Sequence, residues 1–128
     1  GSKRRRPPKM ARLRKKSSTP TDWHAHIYFD ATTRGEALAL RQTLRELGLS
    51  GVRLGNVNEG PRGPHTVPSY EVHIPELHLA ALKAWFRANR GPLSVLLHPL
   101  TPDEVGDHST RALWLGVQKP LAFEAFSR

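Results

Sequence analysis

Cysteine is absent from the chain. Disulfide staples, thiolate metal sites and cysteine nucleophiles are therefore excluded, and the composition is compatible with a reducing, cytoplasmic setting. No stretch approaches the roughly 20 consecutive apolar residues that a membrane-spanning helix needs. The basic start is not followed by the apolar core of a secretory signal. Internal repeats are missing too, which argues against a solenoid. Acidic residues do not occur in residues 1–16.

That last absence explains the charge. The 128-residue chain carries a formal net charge of +9. Nine of its 20 basic residues lie in residues 1–16, and the remaining eleven are balanced by eleven acids. The high isoelectric point belongs to the start of the chain, and the body is neutral. Pro7, Pro8 and the run Ser17-Ser18-Thr19-Pro20 punctuate this block. It has nothing to bury, so residues 1–20 are expected to be a disordered basic tail and residues 21–128 one folded domain. The tail reads as a solvated leader, with Met10 as a plausible start, in preference to an arm gripping nucleic acid nonspecifically through phosphates.

The body alternates between two periods. Trp23 to Phe29 has period two, with Trp23, Ala25, Ile27 and Phe29 on one face and His24, His26 and Tyr28 on the other. Leu38, Leu40, Leu44 and Leu47 then form a helical stripe that stops at Gly48. A short strand is expected over Gly51 to Val57, a breaker-rich loop over residues 58–68, and another alternating strand over Ser69 to Ile74. Pro75 opens a second amphipathic helix through Phe86, and Leu93 to His98 is an apolar strand closed by Pro99. Residues 100–128 read as irregular, anchored by Trp114 and Leu115. The order βαββαβ predicts an α+β, ferredoxin-like fold: a four-stranded antiparallel sheet with two helices on one face. The first and third strands are expected at the centre, running the same way.

Four of the seven histidines stand in tight local signals: His24 and His26 on the first strand, His65 in Gly-Pro-His, and His98 at the end of the last strand. The predicted topology sends all four to one edge of the sheet, facing away from the helices. Imidazole is the commonest protein metal ligand, and residues two apart on a strand point the same way. His24, His26, His65 and His98 are therefore candidate ligands for Fe(II), with Zn(II) or Mn(II) as alternatives. Glu71, on the same face, is a candidate anionic ligand. His108 is a candidate acid/base group, with Asp107 orienting a neighbour. His73 and His78 read as structural or exposed. Arg34 and Arg90 are candidate carboxylate clamps, Tyr28 a pocket residue, and Tyr70 a core residue.

Several segments resemble the DOPA 4,5-dioxygenase family. They are Trp-His-Ala-His-Ile-Tyr-Phe-Asp, Ala-Leu-Ala-Leu-Arg, Gly-Pro-His, Pro-Ser-Tyr-Glu-Val, Asn-Arg-Gly-Pro-Leu-Ser-Val-Leu-Leu-His-Pro, Asp-His and Ala-Leu-Trp-Leu-Gly. They follow in order from about residue 23 to residue 121, without the tail. One departure is Thr-Pro-Asp-Glu at residues 101–104, where a Thr-Gly-Asp-like turn is expected. The resemblance implies a small ferredoxin-like protein, often a homodimer. It also implies a mononuclear non-haem iron enzyme that opens catechol rings, such as that of DOPA, with dioxygen by extradiol cleavage. By motif position it assigns His24, His26, His65 and His98 to the metal. Whichever of His24 and His108 is not a ligand serves as the catalytic base.

Two other functions fit the same element order. One is a noncatalytic metal or small-ligand binder that dimerises through its sheet. The other is an RNA-recognition module, but that class needs stacking aromatics and basic residues on its third strand. Here that strand reads Ser-Tyr-Glu-Val-His-Ile, with an acid facing outward, so nucleic acid is not an expected partner of the body.

Overall fold

The computed structural model describes residues 21–127. The basic tail and its expected disorder lie outside the described residues. Strand β1 (Trp23–Tyr28) leads into helix α1 (Arg34–Glu46), strand β2 (Arg53–Asn58) and strand β3 (Ser69–Ile74). A single 3-10 turn (Glu76–His78) opens helix α2 (Leu79–Asn89), which returns to strand β4 (Ser94–Pro99). A short helix α3 (Glu104–Asp107), strand β5 (Leu113–Leu115) and a closing 3-10 turn (Phe123–Ser127) follow. Among the described residues no helix is long and apolar enough to cross a membrane.

The alternating pattern of the strands sets the layers. Ala25, Ile27, Val72, Val95 and Leu97 pack against Ala37, Leu40, Leu44, Leu82 and Phe86 of the two long helices. Full burial of a Leu or Phe side chain contributes roughly 1.5–3 kcal/mol, so this layer holds the fold together. Tyr70 adds a polar tie across it, its hydroxyl donating to the Ala37 carbonyl at 2.8 Å. Helix α1 stops where the sequence indicates: Gly48 takes φ +62°, the left-handed conformation that glycine adopts without strain.

Three expectations need correction. The sheet has five strands in the order β2-β3-β1-β4-β5, because Leu113–Leu115 pairs with Val95–Leu97. Residues 100–128 are thus not simply irregular: they supply an edge strand and a third helix. Second, β1 and β3 run antiparallel, with Trp23 opposite Ile74 and Tyr28 opposite Ser69. A hairpin joins β2 to β3, and the crossover through α1 sets β2 parallel to β1, so β3 must oppose β1. The start of β3 therefore lies at the far end of β1 from His24, and strand direction alone does not bring His65 to the histidines. Third, the face expected to be open is covered. His26, Tyr28 and His98 on that face are almost completely buried, beneath the loop before β3 and the C-terminal segment.

Candidate metal centre

Strand pairing performs the first step of assembly. His24 and His26 project from the same face of β1, and His98 of β4 lies directly opposite His24 in the register. His26 Nε2 and His98 Nε2 approach to 2.9 Å. The second step belongs to the loop before β3. Arg62 and His65 exchange backbone hydrogen bonds of 2.9 Å in both directions around Gly63-Pro64. Gly63 has φ +56°, as the first central residue of a type II′ turn requires. This small hairpin folds back across the sheet, bridges to Leu121, and sets the His65 ring 3.9 Å from that of His26. Helix α3 performs the third step, ending so that the His108 ring lies 3.9 Å from that of His98. Five imidazoles from four stretches of chain meet in one place.

The outer nitrogens of four of them are already engaged. His98 Nδ1 donates to the Pro99 carbonyl at 2.8 Å, and His108 Nδ1 donates to the Glu104 carbonyl at 2.9 Å. A carbonyl only accepts, so each neutral ring carries its proton on Nδ1 and keeps a bare lone pair on Nε2. His24 Nδ1 lies 3.2 Å from the Glu71 carboxylate, which imposes the same tautomer. The Tyr28 hydroxyl lies 2.7 Å from His65 Nδ1. Metal-ligating histidines are held in this way, with the far nitrogen tied to a carbonyl or carboxylate and the near one free.

The electrostatics keep the rings neutral. Burial pushes the His24 pKa down to about 4, with His73, His108 and Arg53 adding to the effect and Asp22 opposing it. Burial, then neighbouring His108, His98 and His24, take His65 to about 3. His98 falls to about 4 through burial and His108, although the Pro99 carbonyl pulls the other way. His26 is held well below the ordinary imidazole value by burial and by four surrounding histidines. Burial lowers His108 too, against the Glu104 carbonyl and the Asp107 charge. Uncharged imidazoles packed this closely could hold a cation.

Two groups of three fit one. Ring nitrogens of His24, His26 and His98 all lie within 4.8 Å of one another, as do those of His26, His65 and His108. Nitrogens bound at about 2.1 Å to a single ion stand roughly 3 to 3.5 Å apart, so small ring rotations suffice. His26 is common to both groups. Neither contains a carboxylate; Glu71 stands opposite His26 in the strand register and pairs with His24.

The remaining sequence candidates separate cleanly. His73 Nε2 pairs with Asp22 at 2.8 Å at the rim of the centre, while His78 bonds the Ser50 carbonyl and is half-buried. Arg34 is engaged by Glu59 at 2.7 Å. Arg90 donates to the Gly91 and Leu93 carbonyls. Neither is free to clamp a carboxylate. Tyr28 is buried, bonded to His65 and stacked on Trp114 at 5.5 Å. Asp107 anchors the loop before His108: the Thr101 amide and hydroxyl each donate to it at 2.7 Å, and Arg111 at 2.9 Å. The unexpected Thr-Pro-Asp-Glu turn thus builds its own scaffold, with Asp103 capping α3 at the Gly106 amide.

Beside the imidazoles lies a cleft of about 350 Å³, near the lower size of small-molecule sites. Leu100 and Phe126 give it apolar walls, and the Phe126 ring is 4.8 Å from that of His108. Phe126 has no motif or periodicity around it in the sequence and could not be singled out there.

Comparisons with known proteins bear on the chain as a whole. Residues 23–125 match the Dopa 4,5-dioxygenase family. A protein of Amanita muscaria described as DOPA 4,5-dioxygenase is 42% identical over 107 residues, covering 78% of this chain and 47% of that protein. An uncharacterized 21.2 kDa protein of Botryotinia fuckeliana is 36% identical over 114 residues, covering 80% of this chain and 62% of that one. The chain therefore spans about half to three-fifths of the length of these relatives. A crystal structure from Nostoc punctiforme, of a protein provisionally assigned as a dioxygenase, superposes with a TM-score of 0.79 at 35% identity. That likeness covers 84% of this chain and 92% of the other. All five clustered histidines fall inside the matched span, and on that extent of agreement the chain belongs to the Dopa 4,5-dioxygenase family.

Proposed function

We propose that this protein opens catechol rings with dioxygen, by extradiol cleavage, at a mononuclear Fe(II) centre. The nitrogen donor set would also hold Mn(II), which can pass electrons to dioxygen, or Zn(II), which cannot. The observation that supports the reading is the convergence of five neutral imidazoles, four of them held by their outer nitrogens, in two overlapping groups of three whose ring nitrogens lie close together. The family supplies the reaction class. Ligands come from His24, His26, His65 and His98, and bound iron would supply Lewis-acid activation of the catechol and a path for electrons from ring to dioxygen.

The chain's own groups do the rest. The cleft seats a flat ring between Leu100 and Phe126 against the imidazole cluster. The ring must lose a proton there, and a buried imidazole that is neutral at pH 7 is able to take it. His24 or His108, whichever is not a ligand, fills that role and returns the proton to an oxygen later. The Glu71 carboxylate behind His24 and the Glu104 carbonyl behind His108 stabilise either ring when it becomes protonated. Burial of the face excludes water from the ring-opening step. The broken bond joins a hydroxylated carbon to its unhydroxylated neighbour. Both atoms of dioxygen enter the product, a ring-opened semialdehyde acid, and no outside reductant is consumed.

The test is anaerobic loading with Fe(II), followed by oxygen-uptake measurements on a catechol panel monitored for a yellow product. Uptake matched mole for mole by product is expected, with loss of at least about a hundredfold in His26→Ala or His98→Ala. The reading is wrong if the loaded protein consumes no dioxygen with any catechol.

A further inference from the structure

The geometry points to Arg62 as the residue that selects catechols carrying an anionic side chain, an inference that rests on the ring-opening function proposed above. Next to the cleft at the imidazoles lies a second recess of about 180 Å³. His26, His65, Arg62 and Glu71 border both spaces, so the two adjoin across these four side chains. The walls differ in character. Leu100 and Phe126 are confined to the first space, whereas the second is bordered by Asn56, Asn58 and Ser69. An aromatic ring suits the first, and a polar substituent on that ring suits the second.

Arg62 is the cation bordering both spaces; the residue is exposed, and its backbone is anchored. Its backbone exchanges two hydrogen bonds with His65 across the Gly63-Pro64 turn. The arginine and the imidazole are thus carried by the same rigid hairpin, and whatever holds His65 at the centre also holds Arg62 at its rim. The guanidinium makes no hydrogen bond or ion pair with any described residue. Arg111 is occupied by Asp103 and Asp107, and the exposed Arg53, whose charge reaches His24, borders neither space. Glu71, the acid of the recess, is engaged by His24. His24 is neutral and leaves the Glu71 charge in place, so the recess carries a group of each sign; the Arg62 guanidinium keeps its donors unpaired, and its planar fork matches a carboxylate.

Dihydrocaffeate and ethylcatechol have similar rings and differ in a carboxylate. Zinc cannot support electron transfer to dioxygen, so binding to zinc-loaded protein is read without turnover. Titrated calorimetrically under nitrogen, the wild type is expected to bind dihydrocaffeate about tenfold or more tighter than ethylcatechol, the lower range for a hydrogen-bonded charge at a partly solvated site. Arg62→Gln should bring the ratio near one by weakening dihydrocaffeate alone. Arg62→Lys should retain part of the preference. If both ligands bind and the wild-type ratio is near one, or Arg62→Gln leaves the preference intact, the assignment is overturned while the ring-opening function stands. If neither catechol binds, both are overturned together.

Discussion

A buried neutral histidine carries a thermodynamic signature. In an unfolded chain each imidazole takes up a proton near its ordinary value of 6.5, whereas His24 and His98 resist until about 4 and His65 until about 3. Over that interval the unfolded state binds more protons, so stability must fall as pH falls. The contribution is complete above pH 6.5 and is lost progressively down to about 4 for His24 and His98 and about 3 for His65. The urea midpoint of the metal-free protein should therefore be clearly lower at pH 5 than at pH 7.5. An unchanged midpoint would show that these rings are hydrated and titrate freely. The same neutrality is what makes the rings useful, since a protonated imidazole cannot ligate a metal or accept a substrate proton.

At the level of elements, the segment between β4 and β5 does more than link two strands. Burial alone pushes the Asp107 carboxyl up, but the Thr101 hydroxyl and amide and the Arg111 guanidinium outweigh it and hold the group below the usual carboxylate range. Asp107 is 2% exposed, and removing its side chain strands the Thr101 donors and the Arg111 charge. Asp107→Ala should cost roughly 2–3 kcal/mol of stability in urea unfolding. The same change frees His108, which rides on the end of α3, so its ring should lose its defined NMR shift. A wild-type midpoint together with an unmoved His108 resonance would mean that the loop is held by other contacts.

The whole molecule shows where sequence patterns carry information and where they stop. Period two in Trp23 to Phe29 and in Ser69 to Ile74, with helical stripes between, was enough for the ferredoxin-like core, because one buried layer enforces both periods. The pairing of His24 and His26 followed from the same alternation. His98 beside them followed from placing β4 next to β1. His65 was expected at the centre for the wrong reason. Strand direction would have carried it away, and a glycine-proline hairpin brings it back, a tertiary contact with no periodic trace. The C-terminal segment was hardest to read: β5 has only three residues and α3 only four, too few to display a repeat. That segment nonetheless supplies His108, covers the sheet and closes the cleft with Phe126.

Five imidazoles far apart in the chain lie together, and His26 belongs to both possible ligand groups. Anaerobic titration of the metal-free protein with Co(II), whose visible spectrum reports nitrogen ligation, tests this directly. One equivalent of Co(II) per chain should bind with intense visible bands, and His26→Ala should abolish both. Failure to bind cobalt, or one equivalent bound with an unaltered spectrum in His26→Ala, would contradict it.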